Sequence, residues 1–231
     1  MNPGHNPLVE TGRAIVRQEA SALAALPAQL DDSFAELVLL LAQVQGKVVT
    51  SGVGTSGIMA ERLAHLLAVS GTPSFYLPAS DALHGGMGSV TSEDVVIAFS
   101  KGGRSSELTQ LTERLVNRGH HVVAVTEKPD SPFARAASRV ITLRTDPADA
   151  DLGTLLATGS TLVAGAWGDA LAGTLMSMRE VDWAEVIDVH PGGIVGEQSA
   201  LPKPLRLHPE RSEAPPSDQA GHACYREDRA G

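Results

Sequence analysis

Asp94-Val95-Val96-Ile97-Ala98-Phe99-Ser100-Lys101-Gly102-Gly103-Arg104-Ser105-Ser106-Glu107 is the stretch that decides the fold. The run 94–99 is apolar without alternation, as in a strand covered on both faces of its sheet. It passes through a Gly/Ser loop into an amphipathic segment, Leu108 to Val116. Strand, glycine-rich loop and helix in that order turn backbone N–H groups and hydroxyls toward an anion, most often a phosphate.

The same arrangement occurs upstream. Residues 47–53 form an apolar run, Gly54-Thr55-Ser56-Gly57 a turn, and Ile58 to Ser70 a helical segment. A third hydroxyl cluster, Thr158-Gly159-Ser160-Thr161, opens the apolar segment Leu162 to Met176. A hydroxyl at a helix start is ordinarily an N-cap. Three such clusters, two of them glycine-rich and preceded by strands, point instead to a shared phosphate pocket.

Five apolar runs, 47–53, 73–77, 94–99, 121–126 and 139–143, alternate with helical segments. That rhythm predicts an α/β fold with a parallel sheet. Ligands in such sheets lie beyond the carboxyl ends of the strands, where both Gly/Ser loops fall. Residues 8 to 45 carry helical periodicity with a break near Ala25-Leu26-Pro27. Ala35 to Ala42 is apolar almost all round, so that helix is expected to be buried, against this chain or another subunit.

At 231 residues the chain is expected to form one domain with appendages, or at most two small ones. Aromatic residues are only 3%, so the core must be built from Ala, Leu and Val. The net charge of −9 argues against nucleic acid and anionic membranes as partners, and requires local dipoles to bind any anion. Cys224 stands alone in a polar tail, which excludes a disulfide framework or a thiolate metal cluster. With no signal-peptide layout and no spanning apolar stretch, the expected location is the cytoplasm. From Leu201 the chain holds five of its fourteen prolines and balanced charges, and reads as disordered.

Several motifs together carry a family resemblance: Gly52-Val53-Gly54-Thr55-Ser56-Gly57, His84-Gly85-Gly86-Met87-Gly88, the 100–107 loop, Gly168-Asp169-Ala170-Leu171-Ala172 and His190-Pro191-Gly192-Gly193. They resemble the SIS (sugar isomerase) domain, and their order and spacing are most similar to arabinose 5-phosphate isomerases. The resemblance runs from about Leu8 to Glu197. It implies a three-layer α/β/α sandwich with a five-stranded parallel sheet, flavodoxin-like, preceded by N-terminal helices. The expected division is a helical segment 1–45 (1–7 disordered), a SIS domain 46–199 and a disordered Pro-rich tail 200–231, without the paired CBS module that often follows this domain.

The resemblance also implies a reaction: interconversion of a ketose phosphate and an aldose phosphate through a cis-enediol, with neither cofactor nor metal. Ribulose 5-phosphate to arabinose 5-phosphate is the leading case. Dimers or tetramers with active sites at subunit contacts are implied as well. Ser56, Ser100, Ser105, Thr158 and Ser160 fall on or beside the family's sugar-phosphate positions, and His84, Glu107 and His190 match its acid/base candidates. Each has a plainer reading: Glu107 as a first-turn carboxylate complementing the helix dipole, His190 as part of a helix-ending turn. A structural His84 would have little to pack against among glycines.

Three positions depart from the family pattern. Thr55 stands where the first loop usually carries lysine. Gly102 and Arg104 replace a serine and a glutamate of the second. Asp149 stands where active isomerases carry glutamate. Either Lys101 or Arg104 replaces the missing lysine at the phosphate, giving an isomerase with shifted preference, or catalysis is lost and sugar-phosphate binding kept. A 6-phospho-3-hexuloisomerase-like activity is a further alternative, disfavoured by His84-Gly85-Gly86. Asp169 is expected to be structural with a buried partner, His65 to serve packing, and His120 and His121 to be surface and edge residues.

Overall fold

The computed structural model describes residues 6–205. Most of the Pro-rich tail, Cys224 included, lies outside that range, as do residues 1–5. Helix α1 (Pro7–Ala25) starts where Asn6 accepts the Leu8 N–H at 3.0 Å and Pro7 supplies a preset φ. The break expected near Pro27 is a 3-10 turn, Leu26–Gln29. Helix α2 (Asp32–Ala42) is capped by Asp31, whose carboxylate accepts the Ser33 N–H.

Five parallel strands follow: β1 (Val48–Gly52), β2 (Ser74–Tyr76), β3 (Val95–Phe99), β4 (His121–Thr126) and β5 (Arg139–Thr142), in the order β2-β1-β3-β4-β5. Helices α3 (Thr55–Val69), α4 (Ala79–Leu83), α5 (Ser106–Asn117) and α6 (Pro132–Ala136) connect them, and α7 (Gly159–Met178) and α8 (Trp183–Asp188) come after. Successive strand residues face opposite sides of a sheet, and this sheet uses both. Val95, Ile97 and Phe99 pack with α1, α2, α3 and α7; Val96 and Ala98 pack with α4, α5 and α6. Hence the unbroken apolar runs and the three-layer α/β/α sandwich.

The N-terminal helices are not a separate unit. Ala22, Leu26, Leu37, Val38 and Leu41 share one core with Trp167 and Leu171. Trp167, fully buried, meets the rings of Phe34 and Phe99 edge-on, with centroids 6.4 and 5.9 Å away. Among the described residues no helix is long and apolar enough to cross a membrane.

Helix α2 buries Leu37, Val38 and Leu41 within this chain and leaves Leu39 50% exposed. Some local expectations are corrected. Asp169 has a partner, but in the open: Arg62 donates two hydrogen bonds to it, at 2.6 and 3.1 Å, from a side chain as exposed as its own. His65 is exposed rather than packed. His120 is buried, its Nδ1 3.1 Å from the Thr91 carbonyl. His121 opens an interior strand, and burial together with the nearby Arg139 pushes its imidazole below the ordinary value.

Candidate functional site

The sheet order reverses between β1 and β3, so their following loops leave to opposite faces, one into α3 and the other into α5. A crevice forms at such a point. The turn after β1 needs its glycines. Gly54 sits at φ +59, and a Cβ on Gly52 would lie 2.8 Å from the Ser56 carbonyl oxygen. This tight approach starts α3 without a side-chain cap. The Gly57 and Ile58 amides return to the Gly54 carbonyl, at 2.9 and 3.2 Å. As the first of the helix, the amides of Thr55 and Ser56 have no acceptor within it.

The loop after β3 is held from two sides. The Lys101 carbonyl accepts the Glu127 N–H and the Thr126 hydroxyl, both at 3.1 Å. Gly103, at φ +61, lies so close to Ser131 that no side chain fits. Beneath both loops opens a cavity between the strand ends, α3 and α7. Five of the expected binding residues line it: Thr55, Ser56, Ser100, Lys101 and Ser160. Thr126, Glu127 and Thr145 complete its polar wall, and Met59, Phe99 and Val163 its apolar one.

The other expected binding residues are placed differently. Ser105 is the N-cap of α5, accepting the Leu108 N–H at 3.5 Å. Arg104 is exposed beside it. Thr158 is tied down, donating to the Ala150 carbonyl at 3.0 Å and accepting the Leu152 N–H at 3.3 Å. None of these three lines the cavity. Asp149 is exposed and faces α1, 3.4 Å from the Gln18 amide.

The acid/base candidates also lie apart from the cavity. His84, which ends α4, and Glu107, in the first turn of α5, line a separate hollow with Gln110 and Arg114 on the opposite face of the sheet. His190 follows α8, its Nδ1 2.5 Å from the Val186 carbonyl, and lines neither hollow. Helix α8 itself buries none of its residues. The single described chain therefore holds a cavity without a histidine at the strand ends and a His/Glu pair in a separate hollow.

Sequence reading missed the charged floor of the cavity. Lys101 Nζ donates to Asp151 Oδ2 and stands 3.7 Å from Glu127 Oε1. Asp151 is 1% exposed, and its other oxygen accepts the Ser160 N–H at 2.8 Å. Burial opposes its ionisation, but hydrogen bonds from Lys101 and the Ser160 amide outweigh that and hold its carboxyl below the ordinary value. Glu127 accepts both the N–H and the hydroxyl of Thr145, at 2.9 and 2.5 Å. No local signal separates Asp151 from Asp146 or Asp149; only the fold, pairing it with a lysine fifty positions earlier, does so.

Comparison with known proteins agrees with this geometry. The SIS domain model matches residues 40–171. Arabinose 5-phosphate isomerase GutQ of Salmonella typhi is 33% identical over 189 residues, which are 82% of this chain and 59% of the relative. This chain thus spans under two thirds of that relative's length. Among solved structures, an Escherichia coli CFT073 protein in complex with arabinose 5-phosphate is 30% identical with a TM-score of 0.73, covering 81% of this chain and 100% of that one. A Listeria monocytogenes protein is 31% identical with a TM-score of 0.77, covering 82% and 100%. Fold, loop geometry and similarity converge: the chain belongs to the SIS domain family.

Proposed function

We propose that this chain is an aldose–ketose isomerase of a phosphorylated sugar, interconverting D-ribulose 5-phosphate and D-arabinose 5-phosphate. The observation that carries the reading is the cavity itself. It lies at the strand ends beside the reversal point and is lined by Thr55, Ser56, Ser100 and Ser160. Hydroxyls and first-turn amides of this kind bind a phosphate without a basic face, as a chain of net charge −9 requires.

The reaction needs a base to take the proton from C1 of the ketose, leaving a cis-enediol, and an acid to return a proton to C2. The hydroxyl hydrogen on O1 leaves and O2 gains one, so the sugar is isomerised with no net gain or loss. Phosphate binding at the remote end fixes the sugar for these transfers. In this reading His84, Glu107 and His190 move the protons, and no cofactor takes part.

Those groups lie outside the cavity of one chain, so the reading includes assembly: a dimer or tetramer brings a histidine of a second copy to the cavity mouth. Two features support this. Ile58 and Leu162, on the helices that frame the cavity, are 60% and 42% exposed. The segment bearing His190 follows a helix with no buried residue.

A second reading has its own support. Thr55 supplies no charge where the family's first loop usually carries lysine, which suits a domain that binds a sugar phosphate without converting it. Turnover separates the two. The isomerase reading expects arabinose 5-phosphate to form from ribulose 5-phosphate, faster than any hexose 6-phosphate is converted. A melting temperature raised by sugar phosphates, with no turnover on pentose or hexose phosphates, would establish the binding domain instead.

A further inference from the structure

The cluster on the cavity floor goes beyond general phosphate binding, though it rests on the sugar-phosphate reading. Lys101 is the cation that lines the cavity, and its ammonium faces two carboxylates, Asp151 and Glu127. One positive charge against two negative ones leaves the group net negative. A phosphate dianion placed at Lys101 would meet that negative surplus in a partly desolvated site, where charges are poorly screened.

Helix termini tell the same story. The N-terminus of α7 already carries an anion, because Asp151 accepts the Ser160 N–H. That of α3 carries none from this chain, since no side chain caps it. Phosphate therefore belongs with Thr55, Ser56 and Ser100. The α7 end of the cavity is left to the rest of the ligand.

That end offers donors rather than net charge. A lysine ammonium has three N–H groups; Asp151 takes one, and the Lys101 side chain remains 35% exposed. The Ser160 side chain lines the same cavity beside Asp151.

We propose that Lys101 recognises a sugar oxygen rather than the phosphate, and that Asp151 is the positioning residue that fixes its ammonium for this. The assignment departs from the sequence expectation that Lys101 replaces a missing phosphate-binding lysine. A flexible lysine beside two glycines would otherwise search many rotamers; a buried carboxylate selects one. Thr145 and the Ser160 amide in turn hold the two carboxylates.

The test compares two ligands, inorganic phosphate and arabinose 5-phosphate, titrated into the full chain by calorimetry or 31P NMR. Lys101→Met/Asp151→Asn, which leaves the net charge of the group unchanged, should change phosphate affinity by less than about threefold and weaken arabinose 5-phosphate by about tenfold or more. Asp151→Asn should show the same selective loss, with part recovered in Asp151→Glu. Lys101→Met alone strands a buried carboxylate and deepens the negative surplus, so the paired variant carries the comparison. Ser100→Ala should weaken both ligands together. Equal loss of both ligands in the paired variant, or no loss of either, overturns the proposal. Wild-type chain that binds neither ligand overturns the sugar-phosphate reading itself, a separate result.

Discussion

Gly103→Ala tests whether the loop after β3 is built as described. Two costs act together. Alanine at φ +61 is strained by about 1–2 kcal/mol. The larger cost is space: a Cβ there would lie 2.0 Å from Ser131 Oγ and 2.3 Å from Ser131 Cβ. Ser131 cannot simply yield, because it is buried and its hydroxyl accepts the Ala134 N–H as the cap of α6. Overpacking of this kind costs about 1–3 kcal/mol, and a lost cap about 0.5–2 kcal/mol. The clash outweighs the strain, and a total near 4 kcal/mol is about 8–16 °C of melting temperature for a chain of this size. Gly102 is the control: a Cβ there meets nothing within 4 Å, and its φ is not positive. Gly102→Ala should stay within about 1 kcal/mol of the parent. Thermal melts of both variants, followed by phosphate titration, decide the matter. A Gly103→Ala chain melting within 3 °C or so of Gly102→Ala would refute the reasoning.

Two other features give sharp expectations. Asp94 is 2% exposed and accepts from the Lys47 ammonium and from the amides of Lys47 and Thr91, at 2.7, 2.8 and 2.7 Å. Burial opposes its charge, but these bonds outweigh burial and hold its carboxyl below the ordinary value. Its contribution is therefore complete above the unfolded value near 3.9 and is lost as pH falls through the folded one. Asp94→Ala should cost about 3 kcal/mol at pH 7, and denaturant titrations should show the gap to wild type closing below about pH 4. Trp167→Ala should cost about 3–5 kcal/mol by chemical denaturation. It should also lower turnover, because Phe99, which Trp167 braces, lines the cavity.

Much of the fold was legible because each strand carries its own signature. Val95 to Phe99 and Val122 to Val125 do not alternate, since helices cover both faces. Gly54-Thr55-Ser56-Gly57 and the 100–107 loop fell where a parallel sheet places ligands. The charged floor was not legible: its ion pair joins residues 101 and 151, and no periodicity links those positions. The roles of Ser105 and Thr158 were ambiguous for a related reason. A hydroxyl at a helix start reads the same whether it caps the helix or faces a ligand, and contacts such as Thr158 to Ala150 decide between them. Burial of single polar residues also escaped pattern reading. His120 is buried with its ring at the Thr91 carbonyl, while His65 is exposed on a helix whose Leu63 and Leu67 are buried.

The central claim is an enediol isomerase, and hydrogen exchange at C2 tests it most directly. Chain incubated in D₂O with ribulose 5-phosphate, without added metal, should yield arabinose 5-phosphate carrying deuterium at C2, read by proton NMR. Neither product nor exchange, from protein shown by calorimetry to bind the sugar phosphate, would contradict the account and leave a binding domain in place of an enzyme.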